Sequence, residues 1–169
     1  MNNIDNINNF NNICGICEKE PGSHSFVYLC RTKKPDIYEY IFYTCIGDVK
    51  KYQDTEGTIQ HYLKCLTLMN PDKWIWIFNF DGMSTKHYTE ITLIKKLTRI
   101  LKEFGKIENV FLVNPPKLLN IVLTLIRPIL DKKTFDKILI VNEEELTKKL
   151  NVSKEDNDKI RELVIKKYN

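Results

Sequence analysis

With 169 residues, 43% of them hydrophobic and 28% charged, the chain has the size and composition of one ordinary globular domain with a sizeable core. Its net charge of +4 permits attraction to phosphates or anionic membranes but falls short of a nucleic-acid-binding signature, so no nucleic-acid partner is expected. No apolar run approaches the roughly 18 residues of a membrane span, and the N-terminus lacks the charged start and apolar stretch of a signal peptide.

The first thirteen residues contain seven asparagines and offer little to bury, which predicts a flexible tract at 1–13 ahead of a single domain at 14–169. Residues 24–31 and 37–46 are rich in aromatic and β-branched side chains. The turn-like Lys33-Lys34-Pro35-Asp36 separates them, so a β-hairpin is predicted. From 55 to 69, Ile59, Tyr62, Leu63, Leu66 and Met69 recur at helical spacing, and Asn70-Pro71 closes the helix. The run at 74–78 is almost continuously apolar and reads as a strand buried on both faces, ending in Asn79-Phe80-Asp81-Gly82.

A helix follows at 88–104, with Ile91, Ile94, Leu97, Leu101 and Phe104 on one stripe and Gly105 at its C-terminal end. Residues 110–113 form a second buried strand, stopped by Asn114-Pro115-Pro116. The helix at 117–130 is apolar nearly all round, apart from a narrow stripe of Lys117, Asn120, Thr124 and Arg127. A third apolar run at 138–141 is expected to be another interior strand. Asn142 with Glu145, and Ser153 with Asp156, have the spacing of helix N-caps, so helices are predicted at 143–150 and 154–167. Alternating strands and helices with short connections imply an α/β fold: a mostly parallel five-stranded sheet with right-handed crossovers and flanking helices.

Three stretches in this order resemble the CRAL-TRIO family, closest to its divergent, stand-alone or Rho-GAP-type members. Ile75-Trp-Ile-Phe-Asn-Phe-Asp-Gly-Met-Ser84 is similar to a family strand that ends in an Asp-Gly turn. Phe104-Gly-Lys-Ile-Glu-Asn-Val-Phe-Leu-Val-Asn-Pro-Pro116 resembles its strand ending in Asn-x-Pro. The segment from Leu118 through Ile126-Arg-Pro-Ile-Leu130 to Lys137-Ile138 resembles its gate helix and the strand beyond. The Gly-Gly segment that follows the family's last strand has no counterpart here.

The resemblance implies an apolar cavity between sheet and helices that holds phosphoinositides, other lipids or hydrophobic small molecules. It implies a lipid-binding or lipid-transfer role; with no catalytic set and no export signal in the sequence, the expectation is a non-catalytic cytoplasmic protein without cofactor, able to visit anionic membranes. On this basis Leu118, Leu119, Val122, Leu123, Leu125, Ile126 and Ile129 are expected to form the gate helix and cavity wall. Lys117 and Arg127 are the candidate head-group contacts. The alternative is a protein-interaction scaffold for small GTPases or their regulators, as divergent members provide.

Other candidate sites have plainer explanations. Asp81 stands where open α/β sheets place ligand-binding residues, but Asp-Gly is also a turn, and no Gly-rich phosphate loop follows. The three histidines, at 24, 61 and 87, fall in separate segments, and neither His61 nor His87 belongs to a motif with a nucleophile or carboxylate, so no catalytic residues are assigned. The five cysteines, at 14, 17, 30, 45 and 65, are expected as reduced thiols. Cys14, Cys17, His24 and Cys30 are a zinc-capable set, and a zinc-stabilised binding protein is a further alternative. Their spacing fits no common finger and Cys30 falls within a predicted strand, so packed thiols and no metal are the expectation. No helix start is evident after the Cys-x-x-Cys pair to lower a thiol pKa for redox work.

Overall fold

The computed structural model describes residues 13–165 and residue 167; residues 1–12 of the asparagine-rich tract lie outside the described residues. Five strands form one sheet in the order β1 (Val27–Arg31), β2 (Glu39–Cys45), β3 (Lys73–Asn79), β4 (Ile107–Val113) and β5 (Ile138–Ile140). The first pair is the expected hairpin, antiparallel with a bulge between Tyr28 and Cys30, and every later pair is parallel. The α/β class and the mostly parallel five-stranded sheet are therefore as the periodicity implied.

The helices are α1 (Gly15–Lys19), α2 (Thr55–Met69), α3 (Thr85–Tyr88), α4 (Ile91–Glu103), α5 (Leu119–Ile126), α6 (Lys132–Phe135), α7 (Glu143–Lys149) and α8 (Lys154–Val164). Local chemistry sets their ends. The Asp54 side chain accepts from Gly57 N–H to start α2, and Asn70 in the left-handed region ends it. Asn142 and Glu145 make the reciprocal cap of α7, and Ser153 caps α8. Gly105, at φ +57°, turns the chain from α4 into β4.

Parallel strands laid down in sequential order, with crossovers of one hand, place every crossover helix on the same side of the sheet. That side carries Phe42, Trp74, Trp76, Val110 and Leu112, packed against Tyr62 and Leu66 of α2, Ile100 and Leu101 of α4, and Leu119 of α5. The opposite side presents Ile41, Tyr43, Ile75, Ile77, Phe111 and Val113, which α7 and α8 cover with Leu146, Ile160 and Val164. Helices thus flank both faces, but from different parts of the chain.

Five expectations need correction, the first being the helix read at 117–130, which is the eight-residue α5 (Leu119–Ile126) flanked by turns. β5 is an edge strand with Ile140 54% exposed, while β2, between β1 and β3, is the third interior strand. A three-residue apolar run carries too little periodicity to rank its burial. In β2 the charged Glu39 masked burial: its carboxylate is 2% exposed and accepts from Lys34 Nζ at 3.0 Å. The helix expected at 88–104 is two, because Thr89-Glu90 separates α3 from α4. The last helix stops at Val164 rather than 167, and the two short helices, α1 at the Cys-x-x-Cys pair and α6 ahead of β5, were not predicted.

A buried polar knot ties the last helix to the sheet. Asn79 Nδ2 donates to Tyr43 Oη at 2.9 Å and to the Leu163 carbonyl at 3.3 Å, and its Oδ1 accepts from Asn114 Nδ2 at 2.9 Å. Asn114 Nδ2 also donates to the Val164 carbonyl at 2.8 Å, and Tyr43 Oη to the Leu163 carbonyl at 2.8 Å. The last carbonyls of α8, which no helix can satisfy internally, are therefore bonded by sheet side chains. Asn79→Leu keeps roughly the volume but strips these bonds at a site only 1% exposed. We expect a loss of about 1–3 kcal/mol in urea unfolding with an unchanged slope; a change below about 0.5 kcal/mol would match a surface substitution instead.

Candidate functional site

The helix-covered face of the sheet is aromatic. Phe26 stacks on Phe42 and Tyr62 with centroids 4.8 and 4.0 Å apart, and meets Trp74 and Trp76 edge-on. Trp76 continues to Phe78 at 5.2 Å, and Phe78 to Phe80 at 4.8 Å. These rings are broad and flat and form a plate under the helices. A cavity of about 150 Å³ remains between the plate and the helices.

Its floor is Trp76, Phe78, Val110, Leu112 and Ile138, and its walls come from Thr58 and Tyr62 of α2, Ile94, Leu97 and Leu101 of α4, and Val122, Leu123 and Ile126 of α5. Polar atoms at the floor bond to one another. Trp76 Nε1 donates to Thr44 Oγ1 at 3.0 Å, the Thr44 hydroxyl meets Tyr62 Oη at 2.8 Å, and Tyr62 Oη donates to the Ser25 carbonyl at 3.1 Å. Burial holds the Tyr62 phenol well above its usual range, so it stays a neutral donor. The Thr58 hydroxyl, by contrast, is buried in the wall with no partner. At the part-exposed rim, Tyr52 meets His87 at 4.8 Å, Lys86 Nζ lies over the Tyr52 ring, and Glu90 is close by. Burial lowers the His87 pKa, and its Nδ1 accepts from Ser84 N–H.

The residues expected in the wall divide along α5. Val122, Leu123 and Ile126 line the cavity. Leu119 is buried in the same core without reaching it, Leu125 and Ile129 are half-buried away from it, and Leu118 is 48% exposed. Lys117 and Arg127 are exposed outside the lining, and the Arg127 guanidinium lies 5.5 Å from the centre of the Phe135 ring. Sequence reasoning missed the contributions of α2 and α4, although their apolar stripes were visible, because nothing in a stripe says whether its partner is protein or empty space. Asp81 sits in the turn with Gly82 at φ +79° and accepts from the Lys167 N–H.

The thiol and imidazole set regroups. Cys14, Cys17 and His24 come together as the spacing allowed, but the fourth member is His61 of α2, and the four ligand atoms lie within 4.8 Å of one another. Cys30 is excluded because it points to the other side of the sheet, against Asp156, Lys159 and Ile160 of α8, where burial pushes its thiol up to about 12. His24 and His61 are thus neighbours, with ring centroids 5.7 Å apart, although 37 positions separate them. Among the described residues, which include all five cysteines, there is no disulfide.

No described helix is long and apolar enough to cross a membrane. The structure of Sfh5 is similar over 73% of this chain and 50% of its own, with a TM-score of 0.59 at 14% identity; this chain thus spans half the length of that one. No curated protein sequence matches the chain. Residues 38–157, from the start of β2 into α8, match the CRAL/TRIO domain. With that match over well over half its length and the fold it shares with Sfh5, the chain belongs to the CRAL/TRIO family, whose domains bind lipids or other hydrophobic small molecules.

Proposed function

We propose that this domain binds a lipid or similar hydrophobic ligand in the cavity beneath α5, without catalysing a reaction. The observation that carries this reading is the unfilled apolar space between the aromatic plate and helices α2, α4 and α5. Native cores leave few voids, because each forfeits dispersion contacts. An apolar cavity of about this size takes up a benzene-sized guest, and each methylene buried contributes roughly 0.8 kcal/mol. A full acyl chain needs more room than 150 Å³, which α5 is suited to supply by moving.

The case for movement is local. α5 has eight residues and no side-chain N-cap, and Pro115-Pro116 and Pro128 bracket it. Leu118 and Ile121 on its outer side are 48% and 50% exposed. A short helix with few buried contacts opens at low cost, and exposed leucine and isoleucine beside an opening suit transient contact with a membrane. The Thr58 hydroxyl is positioned to donate to an ester or hydroxyl oxygen of the guest.

Organic extraction of the purified chain followed by mass spectrometry is expected to recover lipid. A phosphatidylcholine with a fluorescent acyl chain is expected to bind the parent protein but not Val122→Trp, whose melting temperature stays near that of the parent because the cavity absorbs the added ring. A parent protein that neither carries nor takes up lipid, with Val122→Trp destabilised by about 1–3 kcal/mol, indicates a filled core; the protein-interaction module then becomes the better reading. Thr58→Val is expected to leave the binding of a plain hydrocarbon unchanged and to weaken an oxygen-bearing ligand by about 0.5–1.5 kcal/mol.

A further inference from the structure

We propose that Cys14, Cys17, His24 and His61 form a tetrahedral site for one zinc ion, which staples the segment ahead of β1 to helix α2. Side chains from three places in the chain converge here: the α1 turn, the loop after it and the second turn of α2. All four are buried, at 4%, 0%, 3% and 0% exposure.

The geometry is that of ligands around a common centre. Zinc–sulfur bonds of about 2.3 Å and zinc–nitrogen bonds of about 2.0–2.1 Å at tetrahedral angles put sulfur and nitrogen about 3.5 Å apart. His24 Nδ1 lies 3.3 Å from Cys14 Sγ and 3.5 Å from Cys17 Sγ. The Cys17 N–H donates to Cys14 Sγ at 3.3 Å, the contact that a Cys-x-x-Cys knuckle makes to a ligating sulfur.

The outer nitrogens are already engaged. His24 Nε2 meets Asp54 Oδ2 at 3.0 Å, and His61 Nε2 meets the Phe26 carbonyl at 3.0 Å. Carbonyl and carboxylate acceptors on Nε2 place the proton there and turn the Nδ1 lone pairs inward, the usual outer-shell arrangement of metal-bound imidazoles. His61 Nδ1 is buried with no partner, and a metal satisfies it. Gly57 leaves room for this support: a Cβ there would collide with the Asp54 carboxylate and lie 2.9 Å from His24 Cε1.

Two thiolates and two neutral imidazoles cancel the charge of a divalent ion, which suits a buried site, and a tetrahedral S2N2 set favours zinc. With four protein ligands and no open position, the site is structural rather than catalytic.

Elemental analysis of the full chain, purified without chelator, is expected to show one zinc per chain. Chelation is expected to lower the melting temperature. Cobalt added to the stripped protein is expected to give thiolate-to-cobalt charge transfer and the strong visible bands of a tetrahedral site. Cys17→Ser and His61→Ala lose the metal, Asp54→Asn binds it about 10- to 100-fold more weakly, and Cys30→Ser keeps it. Because the cobalt spectrum is read on the parent protein, it decides the matter even if a variant does not fold. Zinc well below one per chain with no tetrahedral cobalt spectrum overturns the proposal. So does a Cys14–Cys17 disulfide in freshly purified protein, or zinc that survives both Cys17→Ser and His61→Ala.

Discussion

The handedness of the crossovers between parallel strands governs this molecule. Because β2, β3, β4 and β5 follow one another across the sheet, α2, α4 and α5 must all pass over the same face. The other face would be bare if the chain ended at β5. The α7–α8 pair closes it, fastened by the Asn79, Asn114 and Tyr43 hydrogen bonds to the end of α8. The two faces consequently differ in chemistry. The side covered last is lined mainly with isoleucine, valine and leucine from sheet and helices. The crossover side is built on a plate of tryptophan and phenylalanine under three helices whose positions the strand connections dictate. The cavity lies on that side.

The same connectivity accounts for the cysteine and histidine cluster. The crossover from β2 starts α2 close to the point where the chain enters β1, since β1 and β2 are hairpin partners. The second turn of α2 therefore stands over the segment at 23–26, with Tyr62 bonded to the Ser25 carbonyl and His61 to that of Phe26. Any side chain at position 61 would face the Cys-x-x-Cys turn; here it is an imidazole. Among the described residues, the segment ahead of β1 brings Ile13, Cys14, Ile16 and Cys17 toward the core, and the proposed metal staple would add an anchor to that burial.

Much of the fold was legible in the sequence because its signals were local and strong. The apolar spacing from Ile59 to Met69 and the Asn70-Pro71 stop gave the span of α2 at 55–69, and the Asn142 and Ser153 caps placed the starts of α7 and α8. Relations between distant residues were less legible. The rank of β5 at the sheet edge depends on how many strands follow it, which its three apolar residues do not encode. Of the residues expected on a cavity wall, Val122, Leu123 and Ile126 border the apolar space, whose α2 and α4 walls depend on how helices sit on a ring plate. His61 lay within the helix read at 55–69 but belonged to no motif that singled it out. Only the pairing of β1 with β2 brings it to His24, and the bulge at Leu29 goes with the turn of Cys30 to the other face.

The central claim is that the proposed hydrophobic ligand enters the crossover face, against the aromatic plate, rather than the side covered by α7 and α8. Methyl-labelled NMR of the full chain during titration with a medium-chain acyl phospholipid tests it most directly. The account predicts saturable shifts at Ile94, Leu97, Leu112, Leu123 and Ile126, with Leu146 and Leu150 unmoved. Shifts confined to exposed methyls such as Leu68, or none at any ligand concentration, would contradict it.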